Sequence, residues 1–325
     1  MNHTWVSVHL HYATQQETFF RAAISTLMTD FPEAYDMRRW FFIRYNGDAG
    51  PHFRLRFEVA ETTQKEARLH ALGFFEQYML AHPSVLSADE LTEWGQHWQP
   101  DNSVVLADYK PEYGRYGGPE GVDIVASLFH LSSLFCYDMI EANTEKWSPG
   151  MAVICSLASQ VMLVRAAGME RTDAAVFLEA QSRYWLPLAA IGPSNQDDLD
   201  AIWNVFDSTY NDQENEVQRI ADGFWAEYAE DDTQNDEEEP PQGRLFFYVR
   251  QVMSDYIQSF LDGKVEPRDA AYKNPNFEHY SPALRELHNL IGDLIHLNFN
   301  RLGIPNEQEA YLTFLMGRAL GTGKQ

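Results

Sequence analysis

Cysteine is close to missing from this chain: Cys136 and Cys155 are the only two in 325 residues. They sit in apolar stretches without a CxxC, so neither a disulfide framework nor a thiolate metal site is expected. Both read as buried free thiols in a reducing compartment. Positive charge is also scarce, with 24 Lys and Arg against 48 Asp and Glu and a formal net charge of −24. Nucleic-acid binding draws most of its affinity from cations that displace counterions around phosphates. Direct binding of tRNA or DNA is therefore not expected. No apolar run reads as long enough to cross a bilayer. The stretch Met1 to Tyr12 lacks the basic region followed by an apolar core that marks a signal peptide. A cytoplasmic protein without a membrane span is expected.

What is plentiful is aromatic surface. The sequence holds 20 Phe, 16 Tyr and 8 Trp within a hydrophobic content of 45%, ample for a core and for lining a cleft. In "TWVSVHLHYA", Trp5, Ser7, His9 and His11 alternate with Val6, Val8, Leu10 and Tyr12, a strand pattern. His9 and His11 share a face, as metal ligands might, but no third ligand is evident and a polar strand face is the plainer reading. Phe19, Phe20, Ala23, Ile24, Leu27 and Phe31 are spaced for an amphipathic helix over Gln15–Phe31. A hairpin follows, then a helix near Thr63–Leu80 and a strand in "SVVLADYKP". Beyond Gly121 the pattern is helical nearly throughout. The two most apolar stretches there read as buried core helices rather than spans. "EDDTQNDEEEPPQG" (230–243) breaks the pattern with like charges and two prolines, which predicts a solvated, mobile loop. Strands early and helices late predict an α+β fold, with N-terminal antiparallel strands and a predominantly helical remainder. A single domain over 1–325 is expected, strand-rich to 120 and helical from 121.

Three stretches could carry chemistry. In "FFIRYNGDAGPHFRLRF" (Phe41–Phe57), side chains alternate across a strand, so Arg54 and Arg56 share one face and Phe53, Leu55 and Phe57 the other. A turn centred near Ala49 would put Arg44 opposite Arg54. Like charges so placed need an anion, either the protein's own Asp and Glu or a ligand carboxylate, which a guanidinium grips with paired hydrogen bonds. In "YKPEYGRYGGPEGVD" (Tyr109–Asp123), Glu112 can hold Arg115, three residues on. Gly114, Gly117 and Gly118 let backbone approach a neighbour closely, and the helix that follows offers its N-terminus to an anion. "GRYGG" by itself is equally a tight turn. In "LIHLNFNRLGIPNEQEA", a helix ends where Gly303 caps it and Pro305 forbids continuation. His296 lies one turn from Asn300 and one turn after Asp293, which could orient its ring, with Arg301 nearby.

Taken in order, "FFIRY…GPHFRLRF", "PEYGRYGG" and "HLNFNRLG" resemble the C-terminal glutamate-eliminating domain of class I lantibiotic dehydratases. That domain also occurs as a separate protein in split dehydratases of lantibiotic and thiopeptide pathways. The resemblance covers nearly the whole chain. It implies a lyase that β-eliminates glutamate from glutamylated Ser or Thr of a ribosomally made precursor peptide, giving dehydroalanine or dehydrobutyrine. The glutamylation itself would fall to a separate, glutamyl-tRNA-dependent partner. Arg54, Arg56, Arg115 and His296 match the positions needed for elimination, with Arg44, Glu112, Tyr116, Asn300 and Arg301 expected to bind substrate. No metal or organic cofactor is implied, and a homodimer is left open. His296 would act as general base or proton shuttle, with the direction of its proton undecided. Two other readings stand beside this one. One is a thiopeptide pyridine synthase, which joins two dehydroalanines in a formal [4+2] cyclisation. The other is a non-catalytic subunit that binds the precursor peptide.

Overall fold

The structure, a computed structural model, describes residues 2–47, 49–87, 89–90, 98–189, 195–228 and 241–322, with backbone only at 144, 188–189 and 241–244. The chain divides into two compact units, Met1–Pro111 with Ser132–Lys146 and Glu112–Leu131 with Trp147–Gln325.

The first unit is built on a sheet of four antiparallel strands, β1 (His3–His11), β2 (Arg39–Gly47), β3 (Gly50–Ala60) and β4 (Ser103–Ala107), in the order β2-β3-β1-β4. Period-2 alternation explains its two faces. Val6, Val8, Leu10, Phe42, Phe53, Leu55, Phe57 and Val59 are at most 2% exposed. They form a core with Phe20 of α1 (Gln16–Leu27), with Phe31, which opens the single turn α2 (Phe31–Ala34), and with Ala67, Ala71 and Phe75 of α3 (Gln64–Ala81). Each such ring or branched chain removed from water stabilises the fold by about 1.5–3 kcal/mol. The expected long helix over Gln15–Phe31 is thus two pieces. Its first piece stops at Leu27, and Pro32 opens a new turn where its ring is tolerated.

Register corrects one expectation. Gly47 pairs with Gly50, so Arg44 faces Phe53 and Ile43 faces Arg54. The turn centre lies half a residue before the expected position. In a structure of period two, that shift moves Arg44 to the opposite face. It lies on the core side, its Cζ 5.0 Å from the Phe53 ring centre and its Nη1 3.2 Å from Glu17. The anion that accompanies Arg44 is therefore the protein's own.

The second unit is helical: the short α4 (Tyr113–Tyr116), the first part of α5 (Gly118–Ala142), α6 (Pro149–Ala166), α7 (Arg171–Ala189), α8 (Gln196–Glu227), α9 (Pro241–Leu261), α10 (Pro282–Leu302) and α11 (Asn306–Thr322). Local chemistry sets the ends. Asn195 and Asp198 form a reciprocal capping box at the start of α8. The Ser281 hydroxyl accepts from Leu284 N–H ahead of a first-turn proline, and Gly303 at φ +83° ends α10. The α+β reading holds. The acidic run expected as a loop falls outside the described residues up to 240, and its last residues, from Pro241, open α9. By length and mean hydropathy (1.2 and 1.4), α5 and α6 do suffice to cross a membrane, contrary to expectation. Half of the most apolar stretch of α5 and two-thirds of that of α6 are buried inside the protein, as in the core helices of soluble proteins.

Candidate active site

In the second unit, a cavity of about 290 Å³ is lined by Arg115, Asp293, His296 and Glu309, by Trp185, Tyr184 and Tyr272, and by the amides of Gln181, Asn274, Asn289 and Asn306. Two of the expected catalytic residues, Arg115 and His296, meet here. Their partners differ from those expected. The His296 Nδ1 lies 2.8 and 3.1 Å from the two oxygens of Glu309, in the first turn of α11 beyond the Gly303–Pro305 break. Burial alone would lower the affinity of His296 for a proton, but the Glu309 carboxylate outweighs it and the imidazole is pushed up. With Nδ1–H donated to Glu309, Nε2 is the nitrogen left to exchange a proton.

Asp293, expected to orient His296, instead accepts from Arg115 Nη2 at 2.6 Å and from Arg268 Nη1 at 2.9 Å. Arg268 is entirely buried and also lies 3.4 Å from Glu286. Burial would raise the Asp293 carboxyl, but the two guanidiniums hold it below its ordinary value. Arg115, conversely, is held more firmly protonated than a free arginine, Asp293 outweighing burial. Glu112 sits 3.7 Å from Arg115 and is half exposed. It is a weaker second partner to a cation that Asp293 already grips. Tyr116 is buried, its ring edge-on to Phe129 at 5.2 Å.

The glycines around Arg115 serve packing. A side chain at Gly114 would strike the Asp269 carboxylate, and one at Gly117 would strike Val265 and the Glu266 carbonyl. Backbone bonds Glu266 N–H to Gly117 O (3.0 Å) and Asp269 N–H to Gly114 O (2.7 Å) clasp the two segments together. A Cβ at Gly118 would meet the Glu266 carboxylate, so a carboxylate of this chain lies against the first residue of α5. Asn300 and Arg301 do not line the cavity. Arg301 is wholly buried, its Nη1 3.5 Å from Asn298 Oδ1. Five residues past His296, it lies about 140° around α10.

Arg54 and Arg56 belong to the first unit, on the sheet face opposite the core. Both are partly exposed and held by rings. The Arg54 Cζ is 3.4 Å from the centre of Tyr45, and the Arg56 Cζ is 5.2 Å from Phe41 and 4.9 Å from Tyr109. His9 and His11 share this face, as expected, and a third histidine joins them. The rings of His9 and His11 lie 4.9 and 4.7 Å from that of His52. Burial, reinforced by the neighbouring His52, holds His9 down to about 3 and His11 to about 4. Sequence reasoning overlooked Glu309, Arg268 and His52. Glu309 and Arg268 carry no local signal, because each meets its partner only through the fold.

A family model described as lantibiotic biosynthesis dehydratase, C-terminal, matches residues 5–320. The chain belongs to this family. Solved structures share the family fold. The pyridine synthase TbtD, from thiomuracin biosynthesis, superposes with a TM-score of 0.68 at 13% identity over 97% of each chain. TsrL gives 0.64 at 15% identity over 98% of this chain and 94% of that one. The tRNA-dependent lantibiotic dehydratase MibB from Microbispora sp. 107891 gives 0.58 at 19% identity. There the match covers 97% of this chain and 28% of the longer MibB chain. At these identities the likeness is one of fold. No curated protein matches the chain in sequence.

Proposed function

We propose that this protein removes glutamate from glutamylated Ser or Thr side chains of a ribosomally made peptide in the cytoplasm, beside a separate enzyme that attaches the glutamate from tRNA. A base takes the Cα proton, the Cβ–O bond breaks, and glutamate departs as a carboxylate, leaving dehydroalanine or dehydrobutyrine. The observation that carries the reading is the His296–Glu309 pair beside Arg115 in one cavity. An imidazole fixed by a buried carboxylate through Nδ1 presents Nε2 for proton transfer, and Arg115, held by Asp293, places a fixed positive charge nearby for a developing anion. Arg54 and Arg56 are assigned to the carboxylate groups of the glutamyl moiety, which a guanidinium binds in a bidentate fork.

A second reading keeps one supporting observation. TbtD, a pyridine synthase, matches this chain end to end in span, and a cyclisation of two dehydroalanines would use the same scaffold without a glutamate to bind. One assay separates the two. The purified chain, given a peptide carrying a glutamyl ester, is expected to release free glutamate and lose one water equivalent relative to the unmodified peptide, unaffected by nuclease. Arg54→Ala and Arg56→Ala are expected to leave the glutamyl ester intact. Glutamate release absent from wild-type protein, with cyclisation of a bis-dehydroalanine peptide instead, would replace elimination with pyridine formation.

A further inference from the structure

Arginines of one sheet are treated in two ways. Arg39 donates to Glu58 at 2.6 and 2.9 Å, and Arg44 is paired with Glu17. Arg54 has no carboxylate within ion-pair distance among the described residues, in a chain with 48 acids. The acceptor that its Nε–H finds is an imidazole, Nε2 of His52 at 3.0 Å. The other ring nitrogen, Nδ1, lies 2.7 Å from the Gly50 carbonyl oxygen. A guanidinium N–H can only donate and a carbonyl can only accept, so the two contacts fix the ring: hydrogen on Nδ1, lone pair on Nε2, no net charge. The ring is 3% exposed and is held between His9 and His11, inclined to them by 31° and 32°. On its other side Arg54 meets Tyr45, its Cζ 3.4 Å from the ring centre.

We infer that His52 is a positioning residue, which aims Arg54 at a carboxylate ligand while leaving its positive charge uncancelled. A carboxylate at position 52 would hold the same guanidinium as well or better, but would neutralise it. A neutral acceptor fixes direction only. With Nε committed to His52, the terminal nitrogens form the edge that can take an incoming carboxylate. The inference rests on the elimination reading, in which that carboxylate belongs to the glutamyl group.

Three substitutions test it on the full chain with a glutamylated peptide. His52→Phe keeps a ring between His9 and His11 and removes the acceptor. His52→Gln supplies a neutral acceptor, and His52→Glu a charged one. The KM is expected to rise about 10-fold or more in His52→Phe, as befits loss of a hydrogen bond that directs a charged group, and further in His52→Glu. It should stay near wild type in His52→Gln, with kcat changing less than KM throughout. Inhibition by free glutamate should weaken in the same order, and melting temperature should not follow it. A His52→Glu protein that binds as tightly as His52→Gln would overturn the charge argument even if His52→Phe failed to fold. Equal losses in His52→Phe and His52→Gln, tracking melting temperature, would reduce His52 to a packing residue. Wild-type protein that releases no glutamate would sink the elimination reading itself, and this inference with it.

Discussion

Arg54 and Arg115 are both expected to serve an anion, and the protein holds them in opposite ways. Arg115 is locked to Asp293, which also binds Arg268. Asp293 shares its charge and fixes the place at which the guanidinium can meet a developing anion. Arg54 rests on the Tyr45 ring and the neutral His52, which set its orientation and leave its charge to be answered by something else. A π face attracts a cation through a quadrupole, worth about 0.5–2 kcal/mol, and brings no negative charge to compete with a ligand. In a molecule of net charge −24, the lack of a carboxylate partner for Arg54 among the described residues leaves that cation for a carboxylate from outside.

The contrast can be broken most sharply at the proposed proton carrier, His296. His296→Phe should lower single-turnover elimination by ~100- to 10,000-fold while peptide affinity and melting temperature stay close to wild type. Glu309→Gln, which keeps a partner for Nδ1 but removes the negative charge, should fall between. If His296→Phe eliminates at near wild-type rate, His296 is a packing residue and the proton moves through another group. The next test concerns stability. Asp293→Asn leaves Arg268 and Arg115 without their shared anion and should destabilise the protein by about 3–5 kcal/mol. Tyr45→Leu, which removes the aromatic support of Arg54, should cost less than about 1 kcal/mol. Urea unfolding of both proteins measures the pair, and equal losses would erase the distinction between locked and ring-held arginines.

The last test concerns acid stability. His9 and His11 ordinarily titrate near 6.5 but are held to about 3 and about 4 in the fold. Between those limits the unfolded chain binds more protons than the folded one. Their contribution to stability is therefore complete above pH 6.5 and is lost progressively as pH falls toward 4 and then 3. Melting temperature followed over that range should decline, and His9→Gln with His11→Gln should flatten the decline. An unchanged slope in the double variant would show that the acid sensitivity comes from elsewhere.

Much of this was legible from residues alone. Alternation in "TWVSVHLHYA" and "HFRLRF" reports a two-faced sheet directly, because strand period is a local property. The shared face of Arg54 and Arg56 followed from it without any knowledge of the turn. Arg44 did not, since its face depends on whether the hairpin centres on a residue or between two. Helical spacing placed Asp293 within reach of His296, which is correct, but reach does not decide partnership. Asp293 meets two stronger donors, and His296 meets Glu309 across a chain reversal. His52 stood in the quoted motif and was passed over, because nothing in "GPHFR" distinguishes a histidine that supports an arginine from one that fills space.

The clasp between the "GRYGG" turn and Val265–Asp269 has a consequence for how the protein comes into being. Gly114 and Gly117 receive their backbone partners from residues about 150 positions later, and Arg115 receives Asp293 from 178 positions away. Closing a loop of that length carries a chain-entropy cost whose length-dependent part is about 4–5 kcal/mol. Nothing in the short α4 could meet that cost by itself. Arg115 therefore takes this position only once the last third of the chain has been synthesised and docked. The proposed active centre, assembled in this order, would stay silent on the ribosome, and a chain cut short before Asp293 lacks the anion that fixes Arg115.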